Sequence, residues 1–88
     1  MKTMYKYSLA LNDRQTILVP RGYMVRTVQT QAETICLWVE VNPDAPCVPV
    51  DIKIVGTGHP EIEPTDEYLG TAQTNAGRYV WHVYRSMT

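Results

Sequence analysis

"TICLWVEV", residues 34–41, decides the fold class of this chain. The stretch is almost continuously apolar, and Glu40 is its one charged residue. A short apolar run of this kind is typical of a strand that is covered on both faces. We therefore predict a central β-strand here and take it as the reference for the segments on either side.

The segments before this strand alternate apolar and polar residues with a period of two, as half-buried strands do. The first, "MYKYSLAL", places Tyr5, Tyr7 and Leu9 on one face. "QTILV" and "YMVRTVQTQ" follow as the second and third strands. Asn12–Asp13 and Pro20–Gly22 separate the three segments, because these residues favour turns.

The segment after the central strand, "NPDAPCVP" at 42–49, has three prolines in eight residues and predicts an irregular loop. Alternation resumes in "VDIKIV", which places Val50, Ile52 and Ile54 inward and Asp51 and Lys53 outward. "EYLGTAQ" and "RYVWHVYR", joined by the turn signal "TNAG", predict a β-hairpin. The one candidate for helix is a single turn around "PTDEY", capped by Thr65.

These segments predict an all-β single domain over residues 1–88, with about seven short, mostly antiparallel strands and little or no helix. The strands would form a sandwich or a partly open barrel, with Trp38 and Trp81 as large core anchors. A domain of this size buries only a small core and must cover its strand edges. We therefore expect a homo-oligomer, with a dimer favoured.

Charge and composition narrow the function classes. The net charge is −1, and the 8 basic residues are scattered singly, so we expect no binding to duplex nucleic acid. No apolar run is long enough for a membrane span, and the N-terminus lacks the apolar core of a secretion signal. Cys36 and Cys47 form no metal motif and are expected to stay reduced inside a cell, although a pairing between them remains open.

Five motifs carry a resemblance to a known family: "KYSLALNDRQT", "CLWVEVNPDAP", "IVGTGHP", "YLGTAQ" and "VWHVY". In this order and spacing, from about residue 5 to residue 84, the chain resembles a family of short uncharacterised proteins from tailed bacteriophages and prophages. The resemblance implies a phage accessory protein that works in the host bacterial cytoplasm. It implies no mechanism, because the family itself is a domain of unknown function.

The densest candidate site is "GTGHP". Gly56 and Gly58 can turn successive backbone N–H groups to one side, and Thr57 and His59 add further donors. Such an arrangement is a candidate cradle for a phosphate or a carboxylate. The stretch lacks the lysine of a P-loop, and a plain turn at the end of a strand is the alternative interpretation.

The last strand presents a second candidate surface. Tyr79, Trp81 and Val83 share one face, and the other carries Arg78, Val80, His82 and Tyr84. The second face could stack a base and pair with a phosphate, or it could form a subunit interface. The candidate ligand site therefore comprises seven residues: Gly56, Thr57, Gly58, His59, Arg78, His82 and Tyr84.

Catalytic and metal constellations are weak in this sequence. Cys36 and His82 are a formal nucleophile and base, but a thiol within an apolar strand is inert. The two histidines lack the spacing of paired metal ligands. The acidic residues Glu61, Glu63, Asp66 and Glu67 are interpreted as a solvated loop face. We predict no cofactor, no metal and no enzymatic activity.

These observations favour a non-enzymatic phage accessory protein that acts by binding, with counter-defence as its role. The leading mechanism is sequestration of a small anionic, nucleotide-like ligand. One alternative is a protein-binding inhibitor or adaptor that docks on a host enzyme, such as a host defence protein. A second alternative is a minor structural or assembly protein of the virion.

Overall fold

The computed structural model describes residues 1–87, which form seven strands and no helix. The strands are β1 (Thr3–Ser8), β2 (Arg14–Pro20), β3 (Met24–Gln31), β4 (Thr34–Val41), β5 (Cys47–Gly56), β6 (Glu67–Thr74) and β7 (Tyr79–Arg85). A helix long and apolar enough to cross a membrane is therefore absent from these residues. The predicted all-β class is confirmed, as is the hairpin of β6 and β7.

The strands form two antiparallel sheets, with the orders β1-β4-β3 and β2-β5-β7-β6. Strand pairing within residues 1–87 stays inside each sheet, so the domain is a sandwich rather than a partly open barrel. β4 is central in its sheet, as predicted. Its alternate residues Ile35, Leu37, Val39 and Val41 are at most 3% exposed and meet Ile52, Ile54 and Val83 from the facing sheet.

The two tryptophans lie in different environments. Trp81 packs against the core from β7. Trp38 lies between Leu37 and Val39, whose side chains point into the core, so its own side chain points to the outer face of β4. The prediction that Trp38 anchors the core is therefore wrong. The outer face of β4 is covered only in part, because Trp38 and Glu40 are half-buried there.

The proline-rich segment is shorter as a loop than predicted. β5 begins at Cys47, so Pro49 lies inside a strand, and the irregular loop comprises only residues 42–46. The pairing explains this, because β5 pairs with β7 only from Ile52 onward. Pro49 therefore lies where β5 has β2 as its one neighbour, and its missing N–H interrupts no second ladder.

The two sheets touch closely where β3 meets β6. A Cβ atom on Gly70 would lie 2.7 Å from Val28 Cγ2, so only glycine allows this approach. Polar contacts reinforce it: the Thr30 hydroxyl donates to the Gln73 carbonyl at 2.6 Å, and the Arg85 guanidinium donates to the Tyr23 hydroxyl. One side of the sandwich is thereby closed by side chains, while β1 and β2 form the edges of the other side.

Replacing Gly70 with alanine should lower the free energy of unfolding by about 1–3 kcal/mol, because the new methyl group collides with Val28. Urea unfolding measures the effect. The control is a double-mutant cycle with Val28→Ala, which removes Cγ2, the nearer colliding atom, and leaves the Val28 Cβ at 2.8 Å, so part of the collision is relieved. If the two substitutions destabilise the domain additively, the close approach is not the cause.

Candidate functional site

A buried ion pair holds the segment 57–66 against the outer face of the four-stranded sheet. Lys53 projects from the outer face of β5, as predicted, but the segment covers it and its side chain is only 3% exposed. Its ammonium donates to Asp66 Oδ2 at 2.6 Å and to the Glu61 carbonyl at 2.9 Å. Asp66 has a fully buried side chain, so it does not belong to the predicted solvated acidic face.

Asp66 also organises the end of this segment. Its carboxylate accepts a hydrogen bond from the Glu63 N–H at 2.8 Å, and its own N–H donates to the Glu63 carbonyl at 3.0 Å. This contact closes a β-turn, so the predicted helical turn capped by Thr65 is wrong. The Lys53 ammonium and the Glu63 N–H both favour the charged carboxylate, and they lower the pKa of Asp66 although burial opposes them.

The "GTGHP" stretch forms a tight turn at the end of β5. The His59 N–H donates to the Gly56 carbonyl at 3.1 Å, and Gly58 has φ +89°, as the third position of a type II turn requires. The His59 N–H is therefore used inside the turn.

The turn and the last strand meet, and His82 connects them. His82 Nε2 lies 2.8 Å from Thr57 Oγ1, and His82 Nδ1 lies 3.1 Å from Thr71 Oγ1. Thr71 also bonds the Tyr68 hydroxyl at 2.5 Å, and the rings of Tyr68 and Tyr84 meet edge to face at 5.5 Å. Both ring nitrogens of His82 have partners, so this histidine positions Thr57 rather than offering a free donor.

A cleft of about 330 Å³ opens beside the turn. We call it the turn cleft, and its lining residues are Gly56, Thr57, His59, Arg78, Tyr79, Val80 and Trp81. At its base, a Cβ atom on Gly56 would lie 3.3 Å from the His59 ring and 3.4 Å from Trp81, so glycine gives these two rings room.

The turn cleft gathers four of the seven predicted site residues: Gly56, Thr57, His59 and Arg78. Gly58 shapes the turn, and His82 and Tyr84 lie outside the cleft lining, on the outer face of the sheet. The aromatic residues of β7 that line the cleft with Arg78 and Val80 are Tyr79 and Trp81, which belong to the face of the strand opposite to that of His82 and Tyr84. Alternation along β7 predicts that Tyr79 and Trp81 share one face of the strand. It does not show that this face is open to a cleft at the start of β7.

The cleft combines positive charge with aromatic surface. Arg78 is exposed, and within residues 1–87 it forms no salt bridge. The rings of Tyr79 and Trp81 lie 6.2 Å apart, and the Trp81 indole N–H is held by Thr74 Oγ1 at 2.9 Å, which fixes the ring. An anion can pair with Arg78 while a flat group stacks beside it.

Other chemistry finds less support. Cys36 is buried in the three-stranded sheet, whereas His82 lies on the outer face of the other sheet, so the formal nucleophile and base are separated by the core. Residues 1–87 contain no group of three side chains suited to hold a metal ion.

The fold and the cleft define a small two-sheet β domain with a candidate ligand site at one end. The chain belongs to the family described as a domain of unknown function, DUF7352, whose model matches residues 1–88. Neither a curated protein nor a solved structure matches the chain significantly.

Breaking the buried ion pair should release the segment that borders the cleft. Asp66→Ala leaves the Lys53 ammonium buried without its counter-ion, so we expect a large loss of stability and rapid cleavage after Glu61 by a glutamate-specific protease. The double variant Lys53→Met/Asp66→Leu should recover much of the stability, because no buried charge is left. Asp51→Ala is the control, since Asp51 is exposed and its carboxylate accepts a hydrogen bond from the Thr16 hydroxyl, while its carbonyl, which accepts from the Ser86 N–H, is kept in the variant. A loss as small as that of the control would contradict a structural role for the pair.

The same carboxylate should make stability depend on pH. Because folding lowers the pKa of Asp66, its contribution is present above the pKa of the unfolded chain and is lost as pH falls through the lowered value. Thermal unfolding followed from pH 7 down to about pH 2 should show this loss below about pH 4. Asp66→Asn should flatten that part of the profile. Arg26 also lowers the pKa of Glu40, on the outer face of β4. Glu40 should therefore add to the loss of stability at low pH, and high salt should remove its contribution because it screens this partly exposed ion pair.

Proposed function

We propose that this protein is a non-enzymatic phage accessory protein that sequesters a small anionic, nucleotide-like ligand in the turn cleft. One observation carries the proposal: the unpaired Arg78 and the His59 ring line the same cleft as the aromatic residues Tyr79 and Trp81. Charge for a phosphate and a flat surface for a base are the two features by which nucleotides are bound.

The cleft dimensions bear on the size of the ligand. Its volume of about 330 Å³ lies at the low end of small-molecule sites, which suits one nucleotide unit rather than a long strand. Tyr79 is half exposed, so a base stacked on it buries apolar surface from both partners. In this proposal the phosphate pairs with Arg78, and the His59 ring supplies a further donor from the cleft lining.

The biological role is a further part of the proposal. The resemblance to phage proteins supports a site of action in the host bacterial cytoplasm. Within residues 1–87, the lining of the cleft contains no cysteine, serine or carboxylate side chain, which supports binding rather than turnover. A binder that removes a nucleotide signal made by the host would counter host defence without chemistry.

Titration with nucleotides tests the proposal. The probes are nucleoside 5′-monophosphates, cyclic dinucleotides and inorganic phosphate, and the signal is Trp81 fluorescence in a Trp38→Phe background. At least one nucleotide should bind saturably. Arg78→Gln should weaken that binding by about tenfold or more, because a charged hydrogen bond is lost.

Arg21→Gln is the matched control, since it removes the same charge at the opposite end of β5. That strand has ten residues, so the two sites are roughly 30 Å apart. Equal affinity of the Arg78 variant and the wild type would reject the site. Failure of every probe, together with a ligand-free native mass for protein purified from infected host cells, would reject sequestration.

A further inference from the structure

β1 is an edge strand whose outer side has no strand partner within residues 1–87. It pairs with β4 alone and lies opposite the closed β3–β6 side. The other edge on this side, β2, ends in Pro20, and the Gln15 side chain at its start bonds the N–H and C=O of Ala10. β1 contains no proline, so the N–H and C=O groups that point away from β4 can pair with another strand.

The sequence of β1 selects among the ways in which two copies can pair. In an antiparallel pair, directly opposed residues share a face, so a twofold axis perpendicular to the sheet must pass between a residue and its own copy. An axis at Lys6 would oppose two lysines, and an axis at Met4 would oppose Lys2 and Lys6. Like charges in opposition are unfavourable.

An axis at Tyr5 avoids both conflicts. It opposes Tyr5 with Tyr5 of the second copy, Lys6 with Met4, and Thr3 with Tyr7, which pairs five residues of each strand. An axis at Tyr7 would pair only residues 6–8 of the strand. The Tyr5 register is therefore the longest one without opposed charges.

We infer that the partner of β1 is a second copy of this chain, joined through Tyr5 into one continuous six-stranded sheet. Exposure supports this register. Tyr5 pairs with the buried Val39, yet it is itself 38% exposed, and its neighbour Met4 is 48% exposed. The second copy covers both, and a cross-strand aromatic pair adds to the stability of the joined sheet. The inference rests on the strand edge alone and does not depend on the ligand.

Light scattering coupled to size exclusion tests this interface. The wild type should have twice the chain mass of 10.0 kDa. Tyr5→Lys opposes two lysines and should give a folded monomer. Tyr79→Lys, the same change at a half-exposed tyrosine on β7, should leave the dimer intact. A monomeric wild type, or a Tyr5→Lys dimer, would overturn the inference.

Cross-linking tests the register itself. In a Cys47→Ser background, Tyr5→Cys should form a disulfide-linked dimer under mild oxidation, because directly opposed Cα atoms lie about 4.5–5.5 Å apart. Thr3→Cys should not, since four residues would separate the two thiols along the strands, on the order of 13 Å. The native Cys36 is buried and does not compete. Cross-linking at residue 3 instead of residue 5 would reject the register.

Discussion

The buried contact between Lys53 and Asp66 is the interaction on which the candidate site depends. Segment 57–66 has no regular secondary structure of its own, so the turn at its start is held from both ends. β5 fixes Gly56, and the ion pair fixes the far end of the segment to the sheet. A buried charged pair is costly to break, because either charge alone would remain buried. The site is thus built on a segment that the sheet itself holds in place.

The edge strands of a β-sheet have unpaired N–H and C=O groups, and these edges are protected differently on the two sides of the domain. On one side, Gly70 lets β3 and β6 approach so closely that side chains seal the sandwich. On the other side, Gln15 and Pro20 blunt β2, while β1 keeps an edge that can be paired. Association is therefore expected through the open side. An interface there would bury additional apolar surface, which a domain with a small core lacks.

How far the sequence predicted this structure depends on the range of each interaction. Alternation along β5 and the turn signal before β7 are local, and they predicted the strands and the hairpin. The pairing of Lys53 with Asp66 is not local, because it requires the path of a segment that folds back over the sheet. Alternation within β4 does place the Trp38 side chain on the face opposite to that of Leu37. Because the strand is apolar on both faces, however, the sequence does not show which face packs in the core. The prediction that Pro49 lies in a loop is wrong for a related reason. A proline is tolerated there because β7 pairs with β5 only from Ile52 onward, and the residues around Pro49 do not show where that pairing begins.

The candidate site shows the same limit at finer scale. The seven predicted residues offer polar side chains or backbone N–H groups. The hydrogen bonds within the fold decide which of these groups remain available to a ligand. Thr57 and Thr71 occupy both nitrogens of His82, so this histidine stiffens the wall and does not contact a ligand through its ring nitrogens. The cationic side chain left unpaired at the cleft is Arg78, in the part of the chain that the structure describes. A free guanidinium beside the Trp81 ring, which Thr74 holds in place, suits an anionic group attached to a flat ring, and for this reason we propose a nucleotide rather than a metal ion or an uncharged metabolite.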